Sequence, residues 1–303
     1  MNAFHWILVP LDGSRLAEAV LPVTQVMAER LGATVFLLHV LERDAPHTVH
    51  GERHLTNVPE AETYLQQVAD RLRRGGVKVE THVHPNPQES VVESIAEHAR
   101  ERGADLVIIA THGWGGMRDL LVGSIAQQVL KRGTLPVLLV RPAAQGEPPP
   151  FLGRQVLVPL DGTEVHAQAV LPLATMVARG LGAALNLAMV VPTLGTLSAE
   201  RSASAMLLPR ASAQALDIEE EDAVEYLKRI AIRLREQGLT VNTTVLRGEL
   251  AASVLKAAQK AEADLIVMST HGKVGWAAFW AGSVGPKVLA RIGQPVLLIR
   301  VPE

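Results

Sequence analysis

Several residue types are scarce or absent in this chain, and each absence argues against a class of function. The 303 residues include no cysteine, which excludes disulfide bonds, thiol catalysis and cysteine-ligated metal sites. Aromatic residues make up only 3%, and the 29 Lys and Arg residues do not outnumber the 31 Asp and Glu residues. Because nucleic-acid binding needs basic side chains for phosphates and aromatic rings for bases, we do not expect it here.

Long hydrophobic runs are also missing. No apolar stretch approaches the roughly 18 residues that a membrane-spanning helix needs. The N-terminal segment has no basic stretch ahead of a long apolar run, so no signal peptide is expected. We therefore expect a cytoplasmic protein that does not contact a membrane, whose 48% hydrophobic residues fill ordinary cores.

The sequence contains an internal repeat. Three strings recur in the same order in both halves: VPLDG at 9–13 and 158–162, THG at 111–113 and 270–272, and PVLL at 136–139 and 295–298. Ordered repetition at about 150 residues indicates a duplicated domain rather than a solenoid. Three consecutive prolines at 148–150 favour an extended spacer between the copies. The predicted domains are 1–147 and 148–303.

Strand and helix signals alternate within each half. In the first half the predicted strands are Ile7–Leu11, Thr34–Val40, Val77–Val83, Leu106–Ala110 and Val137–Val140. The predicted helices between them are Arg15–Leu31, Glu60–Arg74, Gln88–Glu101 and Ser124–Lys131. In the second half the strands are Val156–Leu160, Ala184–Val190, Thr240–Leu246, Leu265–Met268 and Val296–Ile299. This alternation predicts an α/β fold: two doubly wound domains, each with a parallel sheet covered by helices on both faces.

A doubly wound sheet binds ligands beyond the carboxyl ends of its strands, where the winding reverses. If the first and fourth strands are neighbours there, the loop carrying Asp12 meets the loop from Thr111 to Ser124. A glycine loop that opens a helix offers backbone N–H groups to phosphate, and Asp12 can accept a hydrogen bond from a ribose hydroxyl. In the second half, Lys273 can reach a phosphate as a point charge. The two loops together predict a nucleotide site.

These residues resemble the universal stress protein family in its tandem two-domain form. The family's ATP-binding pattern is glycine, two residues, glycine, nine residues, glycine, then Ser or Thr. The matching positions are Ala110, Gly113, Gly123 and Ser124 in the first half, and Ser269, Gly272, Gly282 and Ser283 in the second. Both halves therefore replace the first glycine with another small residue.

The resemblance also implies features that spacing alone does not show. It implies five-stranded sheets of strand order 3-2-1-4-5, similar to the adenine nucleotide alpha hydrolases, and pairing of domains through Val137–Val140 and Val296–Ile299, with a homodimer as a further expectation. The implied ligand is ATP, or alternatively AMP or ADP, with Mg²⁺ as an optional companion. The ribose positions would be Asp12 and Asp161, after Pro10 and Pro159, and the adenine positions would be Val40 and Val190.

Structural roles compete with these assignments. Asp12 and Asp161 stand where helix-capping residues are favoured, and Ser124 with Gln127 has the spacing of a capping box. Three other side chains, His47, His50 and His54, have near-helical spacing. They stand in a segment rich in turn formers, so a metal site is not expected there.

No motif in the chain indicates catalysis. Neither a Walker A string nor a G-x-G-x-x-G after the first strand is present, and no nucleophile with a carboxylate partner accompanies His112 or His271 in sequence. We expect a nucleotide-dependent sensor or regulator of a stress response, not an enzyme, with inserts 42–59 and 192–222 as candidate lids. The alternatives are a nucleotide-independent interaction scaffold of the same family and a slow ATPase.

Overall fold

The computed structural model describes residues 4–42, 48–49, 52–85, 90–111, 126, 128–129, 135–142, 151–270, 289 and 291–300. The chain divides into two compact units. Unit 1 comprises Met1–Gly153 together with Gly293–Arg300, and unit 2 comprises Arg154–Ile292 together with Val301–Glu303.

Unit 1 alternates strands and helices as expected. Its strands are β1 (Trp6–Pro10), β2 (Thr34–Val40), β3 (Thr48–Val49), β4 (Glu52–Arg53), β5 (Lys78–His84), β6 (Leu106–Ala110) and β7 (Val137–Val140). Its helices are α1 (Arg15–Glu18), α2 (Leu21–Leu31), α3 (Val58–Arg74) and α4 (Val91–Glu101). Parallel pairing gives the order β5-β2-β1-β6-β7, which is the predicted order 3-2-1-4-5 for the first half. Strand β6 is buried along its whole length, as expected for a parallel strand covered on both faces.

Unit 2 repeats the first four strands of that plan. Its elements are β8 (Gln155–Leu160), α5 (Glu164–Leu181), β9 (Ala184–Val191), a 3₁₀ turn (Leu194–Thr196), α6 (Ala199–Leu207), α7 (Pro209–Glu236), β10 (Val241–Arg247), α8 (Leu250–Lys260) and β11 (Leu265–Thr270). Parallel pairing gives the order β10-β9-β8-β11. The fold class predicted from the repeat, a doubly wound parallel sheet in each half, is confirmed.

The last strand of the chain, β12 (Val296–Arg300), groups with unit 1. It runs antiparallel to β7, with Val296 opposite Leu139 and Leu298 opposite Val137. The two strands implicated by the resemblance therefore pair with each other. That this pairing serves to join domains stays a prediction.

One continuous helix was predicted over Arg15–Leu31 in the first half of the chain. That prediction was wrong, because the structure has two helices there. Helix α1 ends at Glu18 and α2 begins at Leu21, with Pro22 in its first turn. Proline has no backbone N–H and is best accommodated in a first turn, where that donor has no intrahelical partner. The corresponding Pro172 lies inside the continuous helix α5.

The two inserts contain regular structure. Within 42–59, β3 and β4 form a small antiparallel pair. Within 192–222, the chain forms the 3₁₀ turn, α6 and the beginning of α7, and Leu216 of α7 lies in a small cluster with Val191 and Ala223. The second insert is thus largely helical, and its lid role stays a prediction.

Candidate functional site

The first and fourth strands of each repeat are neighbours. In unit 1, β1 pairs with β2 on one side and with β6 on the other. In unit 2, β8 lies in the same way between β9 and β11. The condition placed on the predicted site is therefore met, because Asp12 and Ala110 follow or end adjacent parallel strands, as do Asp161 and Ser269.

The carboxylate of Asp12 is fixed by the residue two positions later. Its Oδ1 accepts hydrogen bonds from the Ser14 backbone N–H at 2.8 Å and from the Ser14 hydroxyl at 2.7 Å. The Ser14 Oγ in turn accepts from the Ala17 N–H at 3.1 Å and caps α1. The alternative that Asp12 itself caps the helix was wrong, since the cap is Ser14 and Asp12 orients it.

The turn between them requires glycine. Gly13 has φ +90°, in a backbone region that residues other than glycine rarely adopt. A Cβ at this position would lie 2.8 Å from Leu55 Cδ1. The Asp-Gly pair therefore carries the chain sharply from the strand into the capped helix.

Asp161 repeats this arrangement and adds a histidine. Its Oδ1 accepts from the Thr163 N–H at 2.9 Å and from the Thr163 hydroxyl at 2.7 Å, and Thr163 caps α5. The Nδ1 atom of His166 lies 3.1 Å from the same Oδ1. Partial burial acts to raise the pKa of Asp161, but the hydrogen bonds from His166 and Thr163 outweigh it and hold that pKa well below its usual range.

His39 supports the tip of β1 from the neighbouring strand, a role that the sequence interpretation missed. Its side chain is 1% exposed, and its Nδ1 lies 2.7 Å from the Leu11 carbonyl oxygen. Because that oxygen only accepts, Nδ1 carries the proton. Burial lowers the pKa of His39, so the ring is neutral near pH 7. A histidine that follows the apolar run VFLL within the strand TVFLLHV was the available signal.

The remaining predicted positions divide into described and undescribed residues. Val40, Ala110 and Ser269 are buried, and Pro10, Pro159 and Val190 are partly buried. The Ser269 hydroxyl has no hydrogen-bond partner within the described part of the chain. The predicted phosphate-binding positions Gly113, Gly123, Ser124, Gly272, Lys273, Gly282 and Ser283 lie outside the described residues, as do His112, His271 and Gln127. Their roles stay predictions.

The histidines considered as a metal site from the sequence are not the ones that lie together in the structure. His47 and His50 lie outside the described residues, whereas His54 is buried. A separate group, His82, His84 and His98, brings three ligand nitrogens within 4.8 Å of one another. Sequence reasoning missed this group because its members come from a strand and a helix that are separated along the chain.

Comparison with known proteins identifies the repeated domain. The sequence model of the universal stress protein family matches residues 3–141 and again residues 153–300. Universal stress protein YxiE of Bacillus subtilis is 26% identical over 150 residues, which span 46% of this chain and 99% of that protein. Universal stress protein G of Salmonella typhimurium is 31% identical over 148 residues, which span 46% of this chain and 99% of that protein.

Solved structures show the same fold over the full length. The crystal structure of a universal stress protein from Archaeoglobus fulgidus superposes with a TM-score of 0.68, at 18% identity, over 100% of this chain and 98% of that chain. Within the described helices, none has the length and apolar character needed to cross a membrane. With the family's domain matched twice along its length, the chain belongs to the universal stress protein family in the tandem two-domain form.

Proposed function

We propose that each unit binds ATP or a related adenine nucleotide at the carboxyl ends of its first and fourth strands, and that occupancy regulates a stress response. The observation that carries this proposal is the paired geometry of Asp12 and Asp161. Each follows a central strand, and each is held by two hydrogen bonds from the residue that caps the next helix.

A carboxylate held in this way is suited to a sugar hydroxyl. An orientation fixed before binding avoids part of the ordering cost that a mobile side chain would incur. In unit 2, the lowered pKa of Asp161 keeps it ionised and therefore an acceptor. The neighbouring strands β6 and β11 precede the glycine-containing segments, whose N–H groups are the proposed partners of the phosphates.

We propose a binding role rather than an enzymatic one. His39 is held by the Leu11 carbonyl and is buried, which suits support of the strand end rather than proton transfer to a ligand. Mg²⁺ is proposed only as a companion of the phosphates, because no motif in the chain specifies an ion site for it.

Isothermal titration of the full-length protein with ATP, and separately with ADP and AMP, tests the proposal. We expect micromolar or tighter binding in the unmodified protein and at least a tenfold loss at the altered unit in Asp12→Ala and in Asp161→Ala. Asp70→Ala removes an exposed carboxylate that pairs only with surface groups in the described region, and it should bind as the unmodified protein does.

The conservative variants Asp12→Asn and Asp161→Asn retain an oxygen that accepts from Ser14 or Thr163. They separate loss of the ligand contact from collapse of the turn, which circular dichroism and the melting temperature also monitor. Absence of heat at millimolar ATP, ADP and AMP, with the fold intact, would reject the proposal.

A nucleotide-independent interaction scaffold is the second candidate, favoured by one observation. Met206, Leu207 and Leu208, at the junction of α6 and α7, are 83%, 82% and 64% exposed. Consecutive exposed apolar side chains are typical of interaction surfaces. Mass spectrometry of nucleotide released from the purified protein distinguishes the two candidates, since a scaffold of this kind would carry none.

A further inference from the structure

We infer that unit 1 holds a divalent transition-metal ion, with Zn²⁺ the best match, between the imidazoles of His82, His84 and His98. The site joins the edge strand β5 to helix α4. None of its three ligands is a proposed nucleotide-binding residue, although His84 pairs with Val40, a proposed adenine position, and the inference does not depend on nucleotide binding.

The backbone brings the three rings together. His82 and His84 are two residues apart on β5, so their side chains lie on the same face of the sheet, and they pair with Leu38 and Val40 of β2. His98 lies on α4. The ring centroid of His98 is 4.9 Å from that of His82 and 4.9 Å from that of His84, and one ligand nitrogen from each residue lies within 4.8 Å of the other two.

Hydrogen bonds already orient His98 as a ligand. Its Nδ1 lies 3.1 Å from Glu101 Oε2, and an ionised carboxylate only accepts, so Nδ1 carries a proton. In the neutral ring, the Nε2 lone pair is then directed at His84, whose Nδ1 is 3.0 Å away. A carboxylate behind a ligating histidine is the usual outer partner of zinc-bound imidazole, because it fixes the tautomer and raises the basicity of the ring.

Metal binding then needs one proton to move within His84. Without metal, the His84 Nδ1–H donates to His98 Nε2, since the latter has no proton to give. When the ion enters, the proton of His84 passes through solvent to its own Nε2, and both facing nitrogens present lone pairs to the metal. No net proton is gained or lost if all three rings start neutral.

The charges around the cluster are compatible with a cation. Arg102 carries a positive charge on the neighbouring helix end, and its guanidinium lies 4.7 Å from the Phe36 ring centroid and donates to Glu80 at 3.2 Å. The ion would therefore meet imidazole nitrogens and a positive charge that is already paired.

The second repeat shows that the fold itself does not require these histidines. Val40 pairs with His84 in β5, and the corresponding Val190 pairs with Leu246 in β10. By the same register, Thr244 stands at the position of His82. Ala257 is the eighth residue of α8, as His98 is of α4. Unit 2 therefore packs the same strand and helix with no ligand side chain at any of the three positions.

Three imidazole ligands select among metals. Imidazole nitrogen suits Zn²⁺, Cu²⁺ and Ni²⁺, whereas Mg²⁺ and Ca²⁺ prefer oxygen ligands. Three protein ligands leave a fourth tetrahedral position for water, as in zinc sites that exchange ligands. The donor set therefore favours Zn²⁺ and excludes the ion expected to accompany nucleotide phosphates.

The test titrates metal-free, tag-free, full-length protein with Zn²⁺ in competition with a chromophoric chelator, and records the visible spectrum of the Co²⁺ form. We expect one tight site per chain and a tetrahedral Co²⁺ spectrum. His82→Thr, His84→Leu and His98→Ala introduce the residues that unit 2 has at these positions, so folding should be retained. Each should weaken Zn²⁺ binding at least tenfold, and Glu101→Gln should weaken it about tenfold.

His5→Gln is the matched control, because His5 is an exposed histidine of the same unit; it should leave the affinity unchanged. The inference is overturned if no tight site is found. It is also overturned if the site survives in all three ligand variants while circular dichroism shows them folded, or if His5→Gln weakens binding as much as they do.

Discussion

The two repeats form the same turn at the tip of the first strand and surround it differently. Asp12 and Asp161 each accept twice from a capping residue. The buried His39 supports the strand end next to Asp12, whereas Asp161 contacts His166 on the helix that follows it. The turn depends on an Asp-Gly pair and a cap, which both copies keep. The side chains around it were free to diverge, so the two proposed pockets need not have equal affinity.

The edge of the sheet shows a sharper contrast. Strand β5 and helix α4 bring three imidazoles together, while β10 and α8 pack with Thr244, Leu246 and Ala257 at those positions. Shared topology therefore fixes where side chains meet and leaves their chemistry open. Each repeat can serve as an internal control for the other.

The largest expected difference in stability between the repeats is at the turn glycines. A Cβ at Gly13 would lie 2.8 Å from Leu55 Cδ1 and 2.9 Å from its Cγ, whereas one at Gly162 would meet only the flexible end of Met189, at 3.0 Å. Both positions have positive φ, +90° and +83°. We expect Gly13→Ala to lower the free energy of unfolding by about 3 kcal/mol and Gly162→Ala by about 1.5 kcal/mol, measured by urea denaturation.

Leu55→Ala combined with Gly13→Ala checks the cause. If the clash with Leu55 adds to the backbone strain, the double variant should lose less than the sum of the two single variants. Strict additivity would show that the φ angle alone accounts for the cost.

A smaller effect concerns the pH dependence of unit 2. Because folding depresses the pKa of Asp161 below its ordinary value of 3.8, the associated stabilisation is present above that value and is lost as the pH falls through it towards the folded pKa. The side chain is 31% exposed, so solvent screening limits the contribution to about 1 kcal/mol. We expect the unfolding free energy of the unmodified protein to fall more between pH 5 and pH 2.5 than that of Asp161→Asn.

His166→Phe should reduce this acid loss part of the way, because it removes one of the groups that hold the Asp161 pKa down. If the unfolding free energies of the unmodified protein and Asp161→Asn depend on pH in the same way, the lowered pKa of Asp161 does not contribute to the stability of unit 2.

How far the sequence predicts the molecule depends on whether a feature is local. The strand Thr34–Val40 was placed with its exact limits, since β-branched and apolar residues are bounded there by glycine and charge. The helix end at Gly32 was also confirmed, because Gly32 closes the helix in the left-handed conformation, with φ 66°, which glycine adopts readily. Both signals lie within a few residues of the feature that they predict.

Features formed between distant segments were missed or only partly anticipated. His98 and His84 are 14 residues apart, and no local sequence signal in either segment predicts that they come into contact. The pairing of β12 with β7 was implied only by family resemblance, because the sequence of an edge strand does not determine which other strand it pairs with. The sequence does not predict the break between Glu18 and Leu21, because proline at this position is compatible with either geometry. The corresponding Pro172 lies inside a continuous helix in the second half.

That proline pair gives the smallest predicted effect, and its two halves have opposite signs. Pro22 lies in the first turn of α2, where it restricts the unfolded chain without removing a helical hydrogen bond. Pro22→Ala should therefore lower the unfolding free energy by about 0.5 kcal/mol. Pro172 interrupts the hydrogen bonding of α5, and Pro172→Ala restores a donor to the helix interior. It should raise the unfolding free energy by about 1 kcal/mol in the same urea titration. If both variants shift stability in the same direction, the different helix geometry of the two repeats does not arise from how each accommodates its proline.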